Sequence, residues 1–162
     1  NTEGFTSFFL DNWGLLLCIA GITGGVLAGT VSDKLFQSRR APSAGFLYAG
    51  MIFALVIMVF TLRQPFVLGV IAVFISFCVI GVHGLLSGTA TMDFGGKKAA
   101  ATAVGLIDGF VYLGTGVQSL ALGYLVTKDW SYWPVFLAPF ALLGFLLTLR
   151  ILNASATKAK AQ

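Results

Sequence analysis

His83 and Asp108 are the two side chains of this 162-residue chain best placed to handle a proton, because each lies well inside a long apolar run. An ionisable group in such a run is costly, on the order of 2.5–3.5 kcal/mol on insertion scales, and commonly marks a pathway or a proton relay. Imidazole is the side chain whose charge changes nearest neutral pH. A carboxylate nearby favours the charged ring, while burial disfavours either charge alone. Two such groups in contact titrate as a pair. Ser87 follows His83 by one helical turn and Tyr112 follows Asp108 by one, so each hydroxyl shares a face with an ionisable group. The structural alternatives stay open: a neutral His83 bonded to a carbonyl, and an Asp108 satisfied by neighbouring hydroxyls or backbone.

The other charges gather in hinges. The first runs Gly29-Thr-Val-Ser-Asp33-Lys34-Leu-Phe-Gln-Ser-Arg39-Arg40. The run before it, from Trp13 to Val31, has no ionisable group except the Cys18 thiol, and the run from Pro42 to Leu62 has none. Each is long enough to cross a hydrocarbon core of roughly 30 Å as a helix. Composition agrees: 57% of the residues are hydrophobic, 10% are charged, and mean hydropathy is +0.92. A soluble domain carries about 25% charged residues. The expected fold class is therefore all-α, a polytopic membrane helical bundle with five transmembrane helices.

In chain order, the expected spans are about 13–31, 43–62, 66–91, 99–126 and 134–150. Asn1 to Asn12 reads as an outer loop. The first span carries Gly21, Gly25 and Gly29 at a spacing that admits a neighbouring helix closely, so it is expected inside a bundle. The second and last spans are apolar on every face and are expected to face lipid. The third span carries Gly69, Ser76, His83, Gly84, Ser87 and Thr91 along one side. The fourth carries Gly105, Asp108, Gly109, Tyr112, Thr115 and Gly116. Gly21, Gly25, Gly105, Gly109 and Gly116 are the candidate packing residues. Asp93-Phe-Gly-Gly-Lys97-Lys98 is the second hinge.

Lys and Arg fix the expected orientation. With the hinges inside, Lys34, Arg39, Arg40, Lys97, Lys98, Arg150, Lys158 and Lys160 are cytoplasmic, and only Arg63 and Lys128 are outside. The residue 1 end then lies outside and the C-terminus lies in the cytoplasm. The net charge of +4 belongs to these loops, with no basic face bearing interleaved aromatics, so nucleic acid is not an expected partner. Cys18 and Cys78 lie inside spans and provide no disulfide framework or metal spacing. No Ser-His-Asp order, HExxH or CxxC accompanies them, so neither an enzyme nor a cofactor is expected.

The first hinge resembles the cytoplasmic loop of the major facilitator superfamily, in which Gly, Asp and a basic residue precede a basic pair; here these are Gly29, Asp33, Lys34 and Arg39–Arg40. It is most similar to the organophosphate:phosphate antiporter branch. Ser32, Asp33, Lys34, Phe36 and Arg39 match that branch's loop, with Val31 in place of its Trp and Ser38 in place of its Gly. The second hinge, Lys97-Lys98-Ala-Ala-Ala-Thr-Ala-Val-Gly105, and then Gly109-Phe-Val-Tyr112-Leu-Gly114, resembles the same branch.

The resemblance implies that the five spans are helices 8 to 12 of a twelve-helix fold, with the N-terminal half and helix 7 absent from this chain. The second and last spans would then be peripheral helices 9 and 12. It implies secondary active transport by alternating access: a sugar phosphate or glycerol phosphate exchanged for inorganic phosphate across the cell inner (plasma) membrane. The implied partners are the phosphate ester, inorganic phosphate, the lipid bilayer and the missing half. That branch's phosphate-binding arginines lie in helices 1 and 7, so the primary anion site is expected outside this chain. Gly29, Asp33, Lys34, Arg39 and Arg40 would form a gating loop; Asp108, His83, Tyr112 and Ser87 would line the cavity or couple protons. Two other readings remain: a membrane sensor for a phosphorylated sugar on the same fold, and a transporter of another organic anion.

Overall fold

A computed structural model describes the backbone of residues 2–160 and the side chains of 7–88, 91 and 100–152. The chain is helical almost throughout: α1 (Thr2–Asp11), α2 (Trp13–Leu35), α3 (Arg40–Thr61), α4 (Pro65–His83), a π-helical segment (Gly84–Ala90), α5 (Thr91–Val126) and α6 (Tyr132–Lys160). Among the described residues, five helical stretches are long and apolar enough to cross a membrane: Trp13–Leu35, Arg40–Thr61, Pro65–Gly88, Ala100–Val126 and Tyr132–Leu152. The spans read from hydropathy are all there. Their ends run further, because helix continues into the charged residues: α2 extends through Asp33 and Lys34, and α5 begins at Thr91 and includes the second hinge. The hinge side chains Asp93, Lys97 and Lys98 lie outside the described residues, as do Lys158 and Lys160.

The packing order differs from the one expected. The second span is not the lipid-facing periphery of this chain but its centre: α3 packs against both α4 and α6. Ala44, Met51, Ala54, Leu55 and Met58 form its buried face, spaced by three, four or seven residues, while Phe46, Phe53 and Phe60 point outward. A helix apolar on every side does not reveal which side is packed, since lipid and protein select similar residues. The last span, α6, lies along α3 through buried Pro134, Ala141 and Thr148, seven residues apart, with Trp133, Leu137 and Gly144 half-buried beside them and Phe140, Leu143 and Leu147 exposed.

The first span packs on α4: of its glycines, Gly24 and Gly21 face that helix, and Gly25 and Gly29 do not. Its buried positions are Ala20, Gly24, Ala28 and Ser32. A Cβ at Gly24 would stand 2.5 Å from the Phe77 carbonyl oxygen, and one at Gly81 would stand 3.1 Å from the Gly24 oxygen. Two glycines thus let the α2 and α4 backbones touch, the device that substitutes for hydrophobic driving force in lipid. Gly21 faces Ile80, whereas Gly25, Gly29, Gly105, Gly109 and Gly116 meet nothing among the described residues.

Asn1 to Asn12 is not an open loop. From Thr2 it forms α1, whose Phe9 ring lies where a side chain at Gly69 would be, edge-on to Phe66 at 5.8 Å. The turn between α3 and α4 closes with the Gln64 N–H on the Thr61 carbonyl at 2.9 Å, and Pro65 opens α4 where its missing N–H is harmless. Between α5 and α6, Asp129 accepts the Ser131 N–H at 2.7 Å. Hydrogen bonds from the Ser131 hydroxyl and N–H hold the Asp129 carboxyl below its ordinary range.

Candidate functional site

His83 ends α4 and Asp108 lies in α5, yet His83 Nε2 stands 3.7 Å from Asp108 Oδ1. On one straight helix these residues would be roughly 37 Å apart. The path between them therefore departs sharply from a straight helix. Both are partly buried, at 36% and 28% side-chain exposure. The separation is that of an ion pair but is too long for a hydrogen bond. Asp108 Oδ1 is itself buried and has no hydrogen-bond partner among the described residues. The spacing leaves room for a small hydrogen-bond donor between the two groups.

The segment that positions His83 is unusual. Gly84 to Ala90 is π-helical, a widened turn that recurs at functional sites. Ser87 lies in it, buried, and the Thr91 hydroxyl donates to the carbonyls of Ser87 and Gly88. Tyr112, one turn beyond Asp108, is exposed on α5. The structure thus joins His83 to Asp108, while Ser87 and Tyr112 neighbour them along the helices without a hydrogen bond to the pair among the described residues. A separate, mostly apolar hollow of about 530 Å³ lies between α3, α4 and α6, with Tyr48, Ser76, Gln118 and Trp133 on its walls. It does not include the pair.

The first hinge is a built structure. Arg40 Nη1 donates to Asp33 Oδ1 at 2.6 Å and to Ser32 Oγ at 3.1 Å. The Ser38 hydroxyl also donates to Asp33 Oδ1, at 3.0 Å. Ser32 Oγ donates to the Arg39 carbonyl at 3.2 Å, and the Ser38 N–H closes on the Ser32 carbonyl at 2.9 Å. Ser32 is wholly buried and organises the turn, a role not evident from the charge pattern. Gln37 and Ser38 adopt left-handed backbone, φ 51° and 62°. At Ser38 the resembling loop carries Gly, the residue suited to that conformation. Here the bonds around Ser38 hold the strained turn in place. Asp33 thus takes its partner from its own hinge; Lys34 and Arg39 are exposed, and Gly29 has open space before it.

Replacing Arg40 by Ala is expected to loosen this turn without unfolding the bundle, since Asp33 is more than half exposed and solvent screens such a pair. Amide exchange at Ser38 and Arg39 should rise several-fold in the whole protein. Arg40→Lys should restore it only in part, because the ammonium sits on a shorter, more flexible stem and must reach both acceptors from a different point.

No family model and no solved structure matches the chain. Curated proteins do. The glycerol-3-phosphate transporter of Bacillus subtilis is 35% identical over 117 residues, 69% of this chain and 26% of its own length. The probable hexose phosphate transport protein of Chlamydia pneumoniae is 32% identical over 142 residues, 86% of this chain and 31% of its own. The membrane sensor protein UhpC of Escherichia coli is 31% identical over 138 residues, 84% of this chain and 31% of its own. The chain therefore spans about a quarter to a third of the length of these relatives. With both hinge motifs in register and that likeness running across most of five membrane spans, the chain belongs to the organophosphate:phosphate antiporter branch of the major facilitator superfamily.

Proposed function

We propose that this chain is helices 8 to 12 of a transporter that carries a glycerol phosphate or sugar phosphate across the inner membrane in exchange for inorganic phosphate. The observation that carries this reading is the likeness to a glycerol-3-phosphate transporter and a hexose phosphate transport protein over 69% and 86% of the chain. The protein works by alternating access, with two halves rocking about a midplane site. The phosphate is held mainly by residues outside this chain. His83 and Asp108 stand beside the cavity as a proton-linked pair, with Ser87 and Tyr112 on the same helix faces. The hinge from Gly29 to Arg40 faces the cytoplasm and braces the inner gate, so that Asp33→Asn shifts the balance of inward-open and outward-open states. A few kcal/mol of differential contact moves such a balance severalfold.

The likeness to UhpC favours a second reading, a membrane sensor that binds a phosphorylated sugar without accumulating it. Uptake measured in cells lacking their own organophosphate carriers separates the two. Whole protein that accumulates labelled glycerol 3-phosphate or glucose 6-phosphate supports transport. Saturable binding of the same compounds with no accumulation supports the sensor and overturns the transport reading.

A further inference from the structure

The hinge end of α2 and α3 carries a groove that the transport reading does not use. It encloses about 300 Å³, and Leu27, Val31, Leu35, Phe46, Leu47 and Phe77 make its walls almost wholly apolar. One polar side chain lines it. Ser43 is 2% exposed, and its Oγ has no hydrogen-bond partner among the described residues. A buried hydroxyl left without a partner costs about 1–3 kcal/mol, so such groups call for an explanation. A helical serine ordinarily bonds to the carbonyl four residues back. That carbonyl belongs to Arg39 and already accepts the Ser32 hydroxyl. The Ser43 hydroxyl does not join it there and is left as a donor inside an apolar wall, without a partner among the described residues.

What surrounds the groove restricts its occupant. Leu27, Leu35 and Phe46 are more than half exposed, so the groove opens sideways toward lipid. Ser43 lies three residues after the start of α3, roughly 5 Å along the helix from the hinge. In the hinge, Arg40 is engaged by Asp33, while Lys34 and Arg39 are exposed and make no ion pair among the described residues. Reading outward from the groove, the order is apolar wall, single hydrogen-bond donor, then two cations. A glycerophospholipid presents the complementary order: acyl chain, ester carbonyl, phosphate. Basic residues next to a span attract anionic lipid at about 1 kcal/mol each.

We propose that this groove binds one anionic phospholipid of the hinge-side leaflet. One acyl chain lies between Leu27, Phe46 and Phe77, its ester carbonyl accepts the Ser43 hydroxyl, and its phosphate rests on Lys34 and Arg39. The site is independent of the transported substrate.

The test uses the whole protein, reconstituted in equal parts phosphatidylglycerol and phosphatidylcholine, released into detergent and analysed by native mass spectrometry. Wild type is expected to retain one phosphatidylglycerol in preference to phosphatidylcholine. Ser43→Ala should lower its retention at least threefold, and Lys34→Gln with Arg39→Gln should abolish the preference between headgroups. Leu27→Trp fills the groove but leaves the hydroxyl and the cations, and it should expel the lipid; a thermal melt confirms that each variant is folded. A photoactivatable acyl chain should cross-link to Phe46 or Phe77. Equal retention of the two lipids, retention unchanged in Ser43→Ala and Leu27→Trp, or cross-links confined to other helices would overturn the proposal. Protection of Ser43 by another protein segment in lipid-free samples would do the same.

Discussion

Asp108→Asn is expected to reduce transport by the whole protein at least tenfold, and His83→Gln to flatten its pH profile between about pH 5 and 8 while leaving substrate affinity within a few-fold of wild type. The motive is the 3.7 Å approach of His83 Nε2 to a buried Asp108 Oδ1 that no described residue satisfies. If the pair only braces two helices, both variants should lower stability together and leave the shape of the pH profile intact. If it carries a proton, His83→Gln removes the imidazole of the pair, so the profile flattens even where the protein stays folded. The spans also hold Cys18, Tyr48, Cys78, Tyr112 and Tyr124 and, at their ends, Asp33, Lys34, Arg40, Tyr132 and Arg150; the Asp33 carboxylate is engaged by Ser38 and Arg40 in the hinge. Asp93, Lys97 and Lys98 begin α5 with undescribed side chains, so Asp93→Asn is a necessary control. An unaltered pH profile in His83→Gln removes the proton role.

Gly24→Ala is expected to destabilise the protein by about 2 kcal/mol or more, the range for overpacking a closed contact. The added methyl would stand 2.5 Å from the Phe77 carbonyl oxygen, and backbone cannot swing aside as a side-chain tip can. The α2 and α4 helices would have to separate, and Gly81, which approaches the Gly24 oxygen, would lose its contact as well. Gly25→Ala, one position along, meets nothing among the described residues and should change stability far less. Thermal melts of the two variants in one detergent decide the matter. Equal losses would mean that the small-residue stripe of α2 packs on a different face.

These expectations show what the residues announce and what they conceal. Five spans were legible because apolar length and clustered Lys and Arg obey the thickness and charge asymmetry of a bilayer. The approach of His83 to Asp108 was legible as well: two ionisable groups at matching depth on consecutive spans, each on its helix's polar stripe, have few other places to go. The packing face of α3 was not legible, because Ala44, Met51 and Met58 inside are as apolar as Phe46 and Phe60 outside. In α2 the stripe through Gly24 lies one residue from the one through Gly25, and spacing alone could not choose between them. The Ser32–Arg40–Asp33 clasp depends on a left-handed turn at Gln37 and Ser38, residues not chosen for that backbone by propensity. The orphan hydroxyl of Ser43 is a fact of three-dimensional bonding that no one-dimensional pattern carries.

The central claim is exchange of an organic phosphate for inorganic phosphate, and proteoliposomes test it most directly. The whole protein is reconstituted, the vesicles are loaded with phosphate or with sulfate, and entry of labelled glycerol 3-phosphate and glucose 6-phosphate is followed. The account predicts rapid entry of at least one ester into phosphate-loaded vesicles, matched by exit of phosphate, and little entry into sulfate-loaded ones. Entry that is indifferent to internal phosphate, or no entry despite saturable binding of the ester, would contradict it.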